Sequence, residues 1–186
     1  DGICVKGMES RAGSAILNGY KPVFNATAVQ KVLDQGGKIV GKTTQDEFVF
    51  GSFNTNVGKG FPIPKNPVDP NRVCGGSSGG SACATRLFDN HVSLGESTGG
   101  SIVCPASYCG VVGICPTYGR VSRYGLLDYG NSLDKIGPMA KSVKEAAKVL
   151  TVISGYDQKD STSLKNSVPD YEEFCGKGVK GLKIGI

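Results

Sequence analysis

Residues 75–84 read GGSSGGSACA, and residues 98–113 read TGGSIVCPASYCGVVG. Each sets a serine against paired glycines, where the backbone can turn tightly and come close to a ligand. In the first, Gly75, Ser77 and Gly79 satisfy GxSxG, the nucleophile elbow of α/β-hydrolases. That elbow needs an acid and then a histidine later in the chain. The single histidine is His91, only fourteen residues beyond Ser77, so the elbow reading is disfavoured. In the second, Thr98, Gly99 and Gly100 lead into Ser101. Successive small residues let backbone N–H groups converge on one spot, as an oxyanion hole requires. A serine hydroxyl is a weak nucleophile until a base takes its proton. Neither segment alone supplies one.

Working outward, the chain of 186 residues is long enough for one domain with a real core, and charged residues at 20% exclude a disordered chain. The net charge of +5 is dispersed, with no basic cluster or basic–aromatic alternation, so a direct nucleic-acid surface is not indicated. The cysteines number seven. None is paired in CxxC spacing, so no zinc site is read. Cys83, Cys104, Cys109 and Cys115 stand among Ala, Gly, Val and Ile, as small buried hydrophobes do, and a reducing compartment is the simplest setting. No apolar run reaches the ~20 residues of a membrane span. GGKIVGKTT (36–44) satisfies P-loop spacing, but a helix precedes Gly36 and an apolar pair lies inside the supposed loop. A helix stop followed by a strand is the better reading.

The periodicities predict a helix over 26–35 capped by Asn25, a short buried strand at 38–41 and an irregular, proline-rich loop over 53–73. They also predict a small-residue helix over 77–88 and a strand at 91–95. The clearest helix is SVKEAAKVLTVISG (142–155). Ser142 and Glu145 form a capping box, Val143, Ala146, Ala147, Leu150 and Ile153 line one face, and Gly155 ends it. Interleaved helices and short strands favour an α/β layered fold. The chain opens on Asp1 without Met and closes on GLKIGI, which reads as a strand just starting. A fragment of a longer protein is expected.

Taken together, GGSSGGSACA and TGGSIVCPASYCGVVG resemble the amidase signature family. The tracts at 118–127 and 157–163 resemble its branch of glutaminase subunits in tRNA-dependent amidotransferases. The resemblance implies one amidase domain over 1–186, truncated at both ends, with a mixed β-sheet sandwiched between α-helices. It implies a Ser–cis-Ser–Lys triad that needs no histidine: Ser101 as nucleophile, Ser77 as the bridging serine beside a cis peptide, and backbone amides of Thr98, Gly99, Gly100 and Ser101 as the oxyanion hole. The lysine is expected just before Asp1, outside this chain; neither Lys6 nor Lys42 matches it. Such a lysine acts as base only when burial and neighbours lower its pKa.

The implied reaction is glutamine hydrolysis through a γ-glutamyl ester, with ammonia passed on to convert Glu-tRNA(Gln) or Asp-tRNA(Asn). The implied partners are a B subunit, which uses ATP and Mg, the misacylated tRNA held by the complex, and a small C subunit. The resemblance implies no cofactor here and no membrane contact. The expected setting is cytoplasmic, or the mitochondrial matrix or plastid in a eukaryote. Ser97 stands where the family places Asp, and Val103 where it places Arg, two residues that normally brace the nucleophile segment. Cys104, Cys115 and Gly2 are further departures. A stand-alone amidase and a non-catalytic scaffold are therefore kept as alternatives.

Overall fold

The structure is a computed structural model that describes residues 1–183 and 185. Four helices, α1 (Thr27–Asp34), α2 (Gly79–Leu87), α3 (Val103–Cys109) and α4 (Val143–Ile153), surround strands β1 (Ser93–Ser97), β2 (Val112–Gly113) and β3 (Lys135–Ala140). The sheet order is β1-β3-β2, and both pairings are antiparallel. Side chains alternate across β3 as a pleat demands. Met139 packs with Ala82 and Cys83 of α2 and with Ile102 and Cys109 around α3. Ile136 packs with Ala28 of α1 and with Leu150 and Ile153 of α4. Helices therefore cover both faces of the sheet, the α/β sandwich that the resemblance implied.

The capping box at α4 is complete. Ser142 Oγ accepts the Glu145 N–H and the Glu145 carboxylate accepts the Ser142 N–H, satisfying donors that a helix start leaves without partners. Ala146, Ala147, Leu150 and Ile153 are buried as predicted, but Val143, the first residue of the helix, stands at the end of the stripe and is 60% exposed. Full burial of Leu150 and Ile153 contributes about 1.5–3 kcal/mol each.

The predicted Asn25 cap on α1 is not formed. Ala26 is the N-cap, and Asn25 Oδ1 instead accepts the Lys6 N–H. Nor is 38–41 a strand. It runs without ladder partners, with Val40 79% exposed. Lys42, beyond it, turns inward and donates to the Ile3 carbonyl and to Ser10 Oγ, so no phosphate cradle exists there. Residues 53–73 are irregular as expected. All seven cysteines are free. Cys83 and Cys109 are buried, whereas Cys104 and Cys115 are only half-buried. The predicted strand start at 181–186 falls partly outside the described residues. No helix among the described residues is long and apolar enough to cross a membrane.

Candidate active site

Two loop-to-helix junctions meet beside β1. The first runs through GGSSGG into α2, and its Gly76–Ser77 peptide is cis. The second runs from the end of β1 through Thr98–Ser101 into α3. The Ser78 N–H donates to the Ser101 carbonyl (3.1 Å), so the two serine segments are joined directly. Gly75 explains how close they come: a Cβ there would stand 2.9 Å from Pro105 Cα on α3. Ser78 Oγ both accepts the Glu96 N–H and donates to the Glu96 carbonyl (3.1 Å each), which fixes α2 to β1.

Beneath Ser77 lies a support that the sequence reading did not single out. Asp46 is fully buried; its N–H donates to the Ser77 carbonyl (3.2 Å), and its carboxylate accepts the amides of Asn54 (2.9 Å) and Asn56 (2.8 Å). A Cβ on Gly76 would stand 2.3 Å from Asp46 Oδ2, so only glycine fits above it. Asn54 Oδ1 in turn accepts the Gly79 N–H (2.9 Å), capping α2 from a distant loop where Ser78 makes no side-chain cap.

The Thr98–Ser101 turn is held at both ends. Thr98 Oγ1 donates to buried Asp134, whose other oxygen accepts the amides of Tyr129 (2.7 Å) and Gly130 (2.8 Å). The Gly100 N–H donates to Ser97 Oγ (3.0 Å), and the Gly100 carbonyl accepts the Cys104 N–H (2.9 Å) to begin α3. Ser97 thus braces the Thr98–Ser101 turn where the resemblance led us to expect an Asp. The same bond withdraws Gly100 from the four amides proposed for the oxyanion hole. Those of Thr98, Gly99 and Ser101 keep no protein acceptor among the described residues. A Cβ built on Gly99 or Gly100 would meet nothing within 4 Å, so the turn faces open space. Gly100 has φ +136°, a conformation that favours glycine. Val103, where the family places Arg, is 45% exposed on the first turn of α3 and braces nothing.

The chain start lies against the same site. The Gly2 N–H donates to Gln45 Oε1 (2.7 Å), and Gln45 adjoins Asp46 under Ser77. A Cβ on Gly2 would lie 3.4 Å from Glu96 Oε2. Glu96 is buried, and neither carboxylate oxygen has a donor among the described residues. Burial pushes its pKa up to about 8, and the charge of Asp134 adds to the rise. His91 is at the other end of β1, with Nε2 3.0 Å from Ser93 Oγ and its ring against Phe88, so it takes no part in the site. No group of three or more His, Cys, Asp or Glu side chains among the described residues could hold a metal ion.

Known proteins resemble this chain in sequence and in fold. The family model described as Amidase matches residues 1–186. The A subunit of glutamyl-tRNA(Gln) amidotransferase from Acidobacterium capsulatum is 53% identical over 186 residues, covering 100% of this chain and 39% of that protein. The chloroplastic/mitochondrial A subunit of glutamyl-tRNA(Gln) amidotransferase from Arabidopsis thaliana is 51% identical over 193 residues, covering 100% of this chain and 36% of that protein. Among solved structures, the A subunit of glutamyl-tRNA(Gln) amidotransferase from Thermotoga maritima superposes with a TM-score of 0.86 at 47% identity, covering 89% of this chain and 36% of that one. The peptide amidase of Stenotrophomonas maltophilia gives 0.84 at 38% identity, covering 92% and 36%. The chain therefore spans well under half the length of these relatives. With its two serine segments joined as described and a family match along its whole length, the chain belongs to the amidase family.

Proposed function

We propose that this chain carries the nucleophile half of a glutaminase site in a tRNA-dependent amidotransferase. The observation that carries the reading is the Ser78 N–H to Ser101 carbonyl bond, which brings the cis-Ser77 junction and the Thr98–Ser101 turn into one site. Ser101 attacks the side-chain amide carbon of glutamine. The amides of Thr98, Gly99 and Ser101 receive the developing oxyanion, a role in which preorganised donors matter most. Gly100 serves instead to hold the turn through Ser97. Ser77 relays the Ser101 proton to a lysine just before Asp1, a position supported by the path from Gly2 through Gln45 and Asp46 to Ser77. Ammonia leaves, and water hydrolyses the γ-glutamyl ester.

The whole protein then passes ammonia to a B subunit that uses ATP and Mg to activate Glu-tRNA(Gln) or Asp-tRNA(Asn). A C subunit spans the contact, and the glutaminase chain itself uses no cofactor. Its setting is the cytoplasm, or the matrix of a mitochondrion or plastid. Support for this branch over a stand-alone amidase is the 47% identity to the solved structure of a glutamyl-tRNA(Gln) amidotransferase A subunit, against 38% to that of a peptide amidase.

The test uses the full-length protein with its partner subunits and charged tRNA, and measures ammonia released from glutamine. Ser101→Ala is expected to lower the rate by about 10³-fold or more. Wild-type rates in Ser101→Ala would exclude Ser101 as nucleophile. A wild type that releases no ammonia under any condition would leave a scaffold.

A further inference from the structure

Three of the seven cysteines converge where α2 meets α3. Cys83 lies on α2, Cys109 ends α3, and Cys74 precedes the GGSSGG junction. All three are buried, and they pack in one cluster with Ala82, Ile102 and Met139. The sulfurs of Cys83 and Cys109 are 3.8 Å apart. The Cys109 thiol also donates to the Cys74 carbonyl (3.4 Å), which keeps it at the junction. The cluster is covered by irregular chain: Cys74 Sγ lies 3.7 Å from the carbonyl of Pro64, in the loop 53–73. Loops of this kind open locally at low cost, so a small oxidant can reach thiols that are buried on average.

We propose that Cys83 and Cys109 are an oxidation site, forming a disulfide across the α2–α3 contact that arrests turnover reversibly. A disulfide needs an S–S distance of about 2.05 Å, so the two sulfurs must close by about 1.8 Å. The bond closes a loop that contains β1 and the whole Thr98–Ser101 turn. Cys83 takes the first step, because the neighbouring thiols of Cys109 and then Cys74 hold its pKa below the ordinary thiol value.

With hydrogen peroxide as oxidant, the Cys83 thiolate attacks one peroxide oxygen. The O–O bond breaks, leaving a sulfenic acid and a hydroxide that is protonated to water. The Cys109 sulfur then attacks the Cys83 sulfur and expels the sulfenic oxygen, which leaves as a second water. Two thiols and one peroxide become one disulfide and two waters; sulfur loses two electrons and peroxide gains them. Drawing the helices together shifts Ser77 and Ser101 relative to each other, and displacements near 1 Å in a site can cost about 10²-fold in rate. The disulfide does not depend on the glutaminase reading, whereas its effect on ammonia release does.

The test treats the full-length protein with hydrogen peroxide, alkylates the remaining thiols and maps the products by mass spectrometry. A cross-link is expected in wild type, Cys74→Ala and Cys104→Ala, and in neither Cys83→Ala nor Cys109→Ala. Ammonia release should fall by about tenfold or more and return after treatment with a phosphine reductant. Cross-links through other cysteines, sulfinic acid at Cys83 without a cross-link, or full turnover by the cross-linked protein would overturn the proposal. If one alanine variant does not fold, fragment sequencing of the wild-type cross-link identifies the two cysteines directly. A reduced wild type that releases no ammonia would sink the glutaminase reading, and the mapping would still decide the disulfide.

Discussion

At the scale of single residues, Ser97 and Glu96 set the character of the site. The family pattern places an aspartate where Ser97 stands, and the sequence alone suggested a lost brace. Its hydroxyl nevertheless accepts the Gly100 N–H at 3.0 Å. If the proposed glutaminase reading holds, Ser97→Ala in the full-length protein should remove that acceptor, loosen the Thr98–Ser101 turn and lower kcat for ammonia release by about tenfold, with KM little changed. An unchanged kcat would show that the turn is held without Ser97. Glu96 is a different case, a buried carboxyl with no donor to either oxygen among the described residues. Burial raises its pKa to about 8, so the folded state holds a proton that the unfolded chain releases near pH ~4.3. Stability should therefore fall as pH rises from that value towards 8. Glu96→Gln removes the titration. Its melting temperature should exceed that of the wild type by a margin that widens from about pH 5 to about pH 8. A constant margin would show that Glu96 does not titrate in this range. The two serines and the glycine turn were legible in the sequence because their chemistry is written in adjacent residues. Asp46, Asn54 and Asp134 were not, because each acts on a segment distant along the chain.

At the scale of elements, α4 was legible almost residue by residue, since a capping box, an apolar stripe and a terminal glycine are all local signals. The strand at 38–41 was misread because its apolar pair, Ile39 and Val40, has the right local pattern and no partner strand among the described residues; ladder pairing is a non-local property. The junction into α2 shows the same limit. Its small residues announced close packing but did not say against what. Gly80 supplies the answer, since a Cβ there would stand 2.4 Å from the Thr44 carbonyl oxygen, a backbone atom that cannot rotate away. Gly80→Ala should therefore destabilise the protein by about 1–3 kcal/mol, although alanine is the better helix former in isolation. Urea unfolding checks this. A stabilised Gly80→Ala would mean that the 43–44 segment moves freely away from α2.

At the scale of the whole molecule, the tracts at 118–127 and 157–163, noticed in the sequence only as family-like, prove to be one structural clamp. The first is fastened to the chain start, where the Cys4 N–H donates to the Gly125 carbonyl and the Leu127 N–H donates to the Gly2 carbonyl. The second fastens onto the first. Asp157 accepts the hydroxyls of Thr27 on α1 and of Ser122 (2.7 Å), and Asp160 accepts the Arg123 N–H (2.8 Å) while facing its guanidinium at 3.5 Å. Burial alone would raise both carboxyl pKa values, but it is outweighed. For Asp157 the donors are Thr27, Ser122 and the Lys159 N–H; for Asp160 they are the Arg123 N–H and Thr162. Both lie below the ordinary aspartate range. A lowered carboxyl pKa contributes stability that is present above the unfolded value, near ~3.9, and is lost as pH falls through the lower folded value. Acid should thus open the clamp and free the 118–127 tract from 157–163. Asp160→Asn keeps the shape but not the charge, and hydrogen bonds to a charged group contribute about 1.5–3 kcal/mol. The variant should lose about 2 kcal/mol at pH 7, and its deficit against wild type should shrink below about pH 4, where the unfolded wild-type chain takes up a proton that the folded carboxylate still refuses. Denaturant unfolding at about pH 7 and about pH 3 measures both numbers. A deficit of the same size at the two values would mean that the clamp holds by shape, and that the charge on Asp160 contributes nothing to it.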